Sequence, residues 1–254
     1  MRPPDELRSL VETYLADLAL TPELGGLADP MRYAIGGKLI RPVLCLATAE
    51  AAGADPDAAL PAAIAVELVH SFSLVHDDLP ALDDDDVRRG KPAVHVEYGE
   101  TTAVLAGDAL LVEAFRLALS YGTPEVAREL ARTTARMIGG QHLDLTVPDA
   151  DRSEIQRLKT GALFEASVGS ALWVAGVPEV QQGPWRDFAR ELGPLFQLVD
   201  DLLDGDGAVL EHGTKGAREL ADGAALHAHE GLEMLPADTS VLAEIVSGLA
   251  TRTA

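Results

Sequence analysis

The chain has 254 residues, 47% of them hydrophobic, enough to bury the core of one large domain. It carries 20 basic against 41 acidic residues, a net charge of −21, which argues against nucleic acid or an anionic membrane as a partner because both need a basic footprint. Cys45 is the only cysteine, so an intramolecular disulfide is excluded; with an N-terminus, MRPPDELRSL, that lacks the apolar core of a signal peptide, a soluble cytoplasmic protein is expected.

Helical period dominates the chain and strand alternation is almost absent. An amphipathic helix is predicted over 5–20 through Leu7, Leu10, Val11, Tyr14, Leu15 and Leu18. Helices over 39–52 and 58–79 follow, with Gly53, Asp55 and Pro56 marking the turn between them. Thr101 to Tyr121 reads as a helix, and Thr123 before Pro124 is a suitable N-cap for another over 124–139. Ser153 and Gln156 form a capping box for a helix to about Val174. After a break at Pro178 to Pro184, helices are predicted over 184–204, 216–235 and 238–250. The longest apolar stretch, 161–177, contains Glu165 and reads as a buried helix, so no membrane span is expected. Without a linker, repeat or low-complexity tract, residues 1–254 are read as a single all-α domain.

The chemistry concentrates between Glu67 and Gly99. Glu67, His70, Leu74 and Asp77 fall at i, i+3, i+7 and i+10, which puts His70 and Asp77 on one helix face. Pro80 ends that helix near Asp78, and the break lets the carboxylate of Asp83 fold back toward Asp77. Carboxylate oxygens suit Mg²⁺, which keeps waters and completes its shell with phosphates. Arg88 and Arg89 follow, with planar forks that match phosphate oxygens. A calcium loop counted from Asp83 would need Gly and Glu where Arg88 and Val94 stand, and that reading fails.

Four other stretches are polar where their surroundings are apolar. In GGKLIRP, residues 36–42, Lys38 and Arg41 are three apart at a helix start, where free backbone N–H groups would add to an anion site. In FQLVDDLLD, residues 196–204, Gln197, Asp200, Asp201 and Asp204 form one polar stripe whose like charges repel unless a cation lies on it. In KTGALFEA, residues 159–166, Lys159 and Thr160 interrupt an apolar helix, where a lysine otherwise snorkels to solvent. In GGQHLD, residues 139–144, Gln141 and Asp144 share a face, although Asp144 can also be a simple structural polar group.

DDLPALDDDDVRRGKP resembles the first aspartate-rich motif of the trans-isoprenyl diphosphate synthases, in the form with two extra residues between the Asp pair and the next Asp. GGKLIRP, GGQHLD, KTG and FQLVDDLLD follow the family's order and rough spacing. The resemblance implies an all-α isoprenoid synthase bundle with a central cavity, usually homodimeric. It implies condensation of isopentenyl diphosphate with an allylic diphosphate (dimethylallyl, geranyl or farnesyl), with three Mg²⁺ per active site. By resemblance, Asp77, Asp78 and Asp83 with Asp200 and Asp204 are the metal ligands. Lys38, Arg41, His70 and Arg89 hold isopentenyl diphosphate; Arg88 with Lys159, Thr160 and Gln197 serves the allylic group, and Gln141 lies beside it. Phe72, five residues before Asp77, is aromatic as in farnesyl-producing relatives, so the fifteen-carbon product is expected. The alternatives are a geranylgeranyl or geranyl diphosphate synthase and a weakly catalytic subunit of a heteromeric synthase; a terpene cyclase usually lacks a GGK-x-x-RP site. One departure stands out. The segment after Asp204 is short, and Lys215 is its only lysine to stand for the family's closing lysines, with Arg218 and Arg252 as the alternative cations.

Overall fold

The computed structural model describes residues 1–252. Twelve α-helices form the body among those residues: α1 Pro4–Ala16, α2 Ala28–Ala34, α3 Ile40–Ala51, α4 Pro56–Asp77, α5 Val94–Tyr98, α6 Glu100–Ala118, α7 Glu125–Thr146, α8 Arg152–Gln156, α9 Ala162–Val174, α10 Gly183–Asp204, α11 Ala208–Glu233 and α12 Ser240–Ala250. The fold is all-α and single-domain, as the hydrophobic period implies.

Helix α4 is the axis of the molecule. It packs against α3, α6 and α9, and α9 in turn packs against α3, α7 and α10. Asp55 caps its start by accepting from the Asp57 N–H at 3.1 Å, and Pro56 takes the first helical position. Pro61 lies inside it, and the Tyr121 hydroxyl enters the helix there, accepting from the Ala62 N–H at 3.0 Å and donating to Ala58 O at 2.9 Å. Most of α4 is buried; among the described residues it is the helix long and apolar enough to cross a membrane. Burial on every side explains that composition without a bilayer.

Four boundaries differ from expectation. α1 stops at Ala16, although Leu18 is still buried. α7 does not end at 139 but runs through Gly139 and Gly140 to Thr146. A Cβ on Gly140 would lie 2.8 Å from Leu158 Cβ, so this glycine serves a close helix approach rather than a stop. Asp151, not Ser153, caps α8; its carboxylate accepts from both the N–H and the hydroxyl of Ser153. α11 begins at Ala208, earlier than expected, and is kinked at Gly213 (φ 70°, ψ 163°).

Two short strands form a hairpin, β1 Val87–Arg88 and β2 Lys91–Pro92. Arg89 and Gly90 at its tip both have positive φ, which matches the right-handed twist of a two-residue turn. The hairpin docks on α2: Tyr33 Oη donates to Pro92 O at 2.8 Å, and Lys91 Nζ lies 3.8 Å from the centre of the Tyr33 ring.

Candidate active site

The first aspartate-rich motif is shaped by the end of α4. With Asp77 the last helical residue, the chain turns so that the Asp83 N–H donates to Asp77 O at 2.9 Å and the Asp85 N–H to Asp78 O at 3.2 Å. The fold-back expected from Pro80 is therefore present in the backbone. Asp77 lines a cavity of about 680 Å³ that runs between α4, α6 and α7 past Phe72, Ser73, Leu111 and Met137. Burial, reinforced by Asp83 and Asp78, pushes the Asp77 carboxyl up to about 6 despite the opposing charge of Lys159. Asp83 is exposed and accepts from Gln141 Nε2 at 3.0 Å.

Asp78 and Arg88 are placed differently from the sequence reading. The Asp78 carboxylate is buried and accepts from Arg88 Nε at 2.9 Å and Nη2 at 2.5 Å, while Arg88 Nη2 also bonds Asp85 at 2.9 Å. A buried carboxylate next to a fork of opposite charge is satisfied by it. The pair ties the hairpin to the end of α4, and neither residue is among those lining the cavity.

The KTG stretch forms a single π-helical turn over Arg157–Gly161 between α8 and α9. It is wedged between glycines: a Cβ on Gly140 would lie 3.0 Å from Lys159 Cγ, and one on Gly193 would meet Gly161 Cα at 2.8 Å. The turn aims Lys159 into the cavity mouth, where its Nζ bonds Asp144 at 2.7 Å. Asp144 is thus the lysine's partner. Thr160 Oγ1 and Gln197 Oε1 are 3.5 Å apart.

A second polar centre forms where α3, α4 and the hairpin meet. Gly36 (φ 141°) and Gly37 (φ 97°) turn the chain, and Leu39 is left-handed (φ 50°), so Lys38 precedes α3 while Arg41 stands in its first turn. The two are not neighbours on one helix, as their spacing had implied. A Cβ on Gly37 would lie 2.9 Å from Arg89 Cζ, so the absence of that side chain is what admits the Arg89 guanidinium. Arg41 is buried with Nε unpartnered, its guanidinium 5.1 Å from the Phe164 ring and 5.4 Å from the Phe196 ring. Burial lowers its pKa, against the raising effect of Glu67 and Asp200. Burial and the guanidiniums of Arg41, Arg89 and Arg88 hold the His70 imidazole well below its usual range, so it is neutral. Glu67, one turn before His70, is buried, and its carboxyl is pushed up to about 7 by burial although Arg41 and Arg89 oppose the shift. Leu39, Asp84 and Arg89 are the described non-glycine residues with positive φ, and all three lie in these two motifs.

The second aspartate-rich motif divides. Asp201 is buried; it accepts from Gln197 Nε2 and the Ala208 N–H, both at 2.9 Å, and a Cβ on Gly207 would lie 2.2 Å from its Oδ2. It builds the turn after α10 rather than sharing the stripe. Asp200 faces the other way, into an ion pair with Arg252 from beyond α12, whose guanidinium lies 5.0 Å from the Phe196 ring. Burial raises the Asp200 carboxyl, with Arg252 and Lys38 opposing and Asp204 adding to the shift. Asp204, the last residue of α10, is exposed. Lys215 is not brought to this centre: its side chain is 92% exposed and pairs with Glu219 of its own helix at 3.6 Å. Glu67 is a site member that the motifs do not name, and Arg252, named with Arg218 only as a stand-in for the closing lysines, pairs with Asp200 instead. Glu67 was signalled by its spacing from His70, whereas nothing local marks Arg252.

Comparison with known proteins places the chain in a family. The polyprenyl synthetase family model matches residues 26–246. A geranylgeranyl diphosphate synthase of Cyanophora paradoxa is 43% identical over 194 residues, covering 69% of this chain and 64% of that protein. A farnesyl diphosphate synthase of Geobacillus stearothermophilus is 40% identical over 199 residues, covering 72% and 67%. The match thus spans about two thirds of these curated relatives. The crystal structure of a geranyltransferase from Legionella pneumophila superposes with a TM-score of 0.84 at 29% identity, over 98% of this chain and 96% of that one. The chain belongs to the polyprenyl synthetase family, the trans-isoprenyl diphosphate synthases.

Proposed function

We propose that this protein is a Mg²⁺-dependent head-to-tail prenyltransferase that joins isopentenyl diphosphate to an allylic diphosphate and makes mainly farnesyl diphosphate. The observation that carries the reading is the pairing of two centres: a cluster of Arg41, Arg89 and neutral His70, with Arg89 seated on Gly37, and an apolar cavity with Asp77 and Lys159 at its mouth. One suits a diphosphate that stays bound, the other an allylic chain whose diphosphate leaves.

The residues present fit a hard cation. Asp77 and Asp200 are oxygen donors held above their ordinary pKa by burial, and a nearby cation would relieve that penalty. Among the described residues no three His, Cys, Asp or Glu side chains converge on one point, so phosphate oxygens and water must complete the shell. Asp77 with Asp83, and Asp200 with Asp204, would hold Mg²⁺. Bound there, it supplies Lewis acidity to the leaving diphosphate. Lys159 adds positive charge beside Asp77 as that diphosphate departs. Phe72, Leu111 and Met137 line the cavity and keep water from the allylic carbon that becomes electron-poor. Arg41, its Nε without a partner, and Arg89 orient the diphosphate of the second substrate so that its double bond faces that carbon.

Phe72 supports the fifteen-carbon product because its ring lies in the cavity wall five residues before Asp77, about 7.5 Å along the helix at about 1.5 Å per residue, a depth on the order of one to two isoprene units. Geranylgeranyl diphosphate is the second reading, favoured by the name of the Cyanophora relative. A homodimer is supported by the exposed apolar residues Val104, Leu105 and Val112 on α6. Purified protein given isopentenyl diphosphate with each allylic primer, with and without chelator, tests the reading. Metal-dependent fifteen-carbon product is expected; turnover after complete chelation, or no product with any primer, refutes it.

A further inference from the structure

Phe72 does not stand alone in the cavity wall. One turn nearer the mouth on the same face of α4 is His76, and the two rings meet edge to face with centroids 5.0 Å apart at 77°. The imidazole is held from the other side. Its Nε2 is 3.0 Å from Val104 O, which makes it the protonated nitrogen, and 4.0 Å from Asp108 Oδ1. Its ring lies close against Gly107 of α6: a Cβ there would be 2.2 Å from Nε2, 2.4 Å from Cδ2 and 3.0 Å from Cε1. No side chain larger than hydrogen fits at 107 while His76 keeps this position. Gly107 is buried in mid-helix with no turn to make, so its lack of a side chain serves this seat. Both His76 and Phe72 line the cavity, together with Asp108 and Leu111 of α6.

We propose that product length is set by the Phe72–His76 pair as a unit, with His76 a positioning residue seated on Gly107 that holds the Phe72 ring across the path of the growing chain. The inference rests on the reading of Phe72 as the chain stop. A tail leaving Asp77 passes His76 first and reaches Phe72 about one turn later, roughly 5.4 Å on, so displacing each ring has a different sign. A methyl group at Gly107 forces the imidazole off Val104 O and into the cavity, which blocks the chain one unit earlier. Removing the imidazole frees Phe72 to turn aside and lets the chain run on.

The test is product analysis with isopentenyl and dimethylallyl diphosphates for the wild type, Gly107→Ala, His76→Ala, the double variant and Phe72→Ala, compared at equal substrate consumption. The ratio of ten- to fifteen-carbon product should rise about tenfold in Gly107→Ala, a modest steric change on the scale of transition-state energies. His76→Ala should shift product toward twenty carbons. The double variant should behave as His76→Ala alone, because without the ring the methyl group strikes nothing, a non-additivity that independent sites do not show. His76 adjoins Asp77, so the Mg²⁺ activation curve is recorded for each variant; a product shift at an unchanged half-activating concentration supports the inference. If Gly107→Ala fails to fold, His76→Ala decides alone. Wild-type products from Gly107→Ala and His76→Ala while Phe72→Ala lengthens the chain overturn the inference and leave the Phe72 stop standing. An unchanged product from Phe72→Ala overturns both.

Discussion

Gly37→Ala and Gly36→Ala separate backbone strain from the construction of an anion site. Both glycines have φ in the region that L-residues rarely adopt, 97° and 141°, so each alanine should cost about 1–3 kcal/mol of stability. Only at Gly37 does the new methyl group meet another residue, Arg89, with Cζ and Nε both at 2.9 Å; at Gly36 there is nothing within 4 Å. Those atoms are the far end of a flexible side chain, so Arg89 moves and the fold survives. One charge-assisted contact to the diphosphate is then lost or lengthened, about 1.5–3 kcal/mol, or roughly 10- to 100-fold in KM for isopentenyl diphosphate. Steady-state kinetics with each substrate varied in turn, beside urea melts of the same preparations, give both quantities. The expected pattern is a similar fall in unfolding midpoint for the two variants, with the KM increase confined to Gly37→Ala and to isopentenyl diphosphate. Equal KM effects from both, or an effect of Gly37→Ala on the allylic substrate alone, would refute the assignment of Arg89 to this site.

The Asp77 carboxyl, held up to about 6, is largely protonated below that pH, so a divalent cation must displace a proton there. Calorimetry of Mg²⁺ with diphosphate in buffers of different ionisation enthalpy should show proton release that grows from pH 7 to pH 5.5, and Asp77→Asn should abolish it; release independent of that substitution contradicts the reading. Glu67 prefers its neutral form when folded, with a carboxyl near 7 against 4.5 for the free group, so the folded chain binds more protons between these values and its stability falls as pH rises through them. The ceiling is about 3 kcal/mol, and in Glu67→Gln this part of the slope should vanish from denaturant melts taken between pH 5 and 8; parallel curves for variant and wild type would count against it. Arg252→Ala leaves Asp200 partly buried without its partner and should lower the unfolding free energy by about 1–3 kcal/mol; an unchanged midpoint would mean the pair contributes nothing. Lys215→Ala should leave turnover unchanged, since Lys215 faces solvent, and a tenfold loss would show that α11 moves onto the site.

Features that depend on neighbours a few residues away are legible in the chain alone. The 3.6-residue period specified an all-α chain, Pro80 ended α4 beside Asp77, and the same break returned Asp83 to it. The motif order was sufficient to indicate the family and to name His70, Arg41, Arg89 and Lys159 as site residues. What the tertiary structure decided is every choice made between distant segments. The resemblance put Asp78 with the metal ligands and Arg88 with the substrate; the ion pair between them forms in the folded chain because the hairpin docks on α2 and carries Arg88 to the end of α4. Gly139 and Gly140 look like a helix stop in one dimension, yet α7 continues through them because packing against the π-helical turn requires the missing side chain. Arg252 carries no local signal, since it joins Asp200 only after α12 folds back beside α10. Lys215 was named for its rarity in the tail, and rarity does not encode direction. Local pattern fixes backbone state and which face a residue occupies, whereas an ion pair or a close approach depends on where a second element, far along the chain, comes to rest.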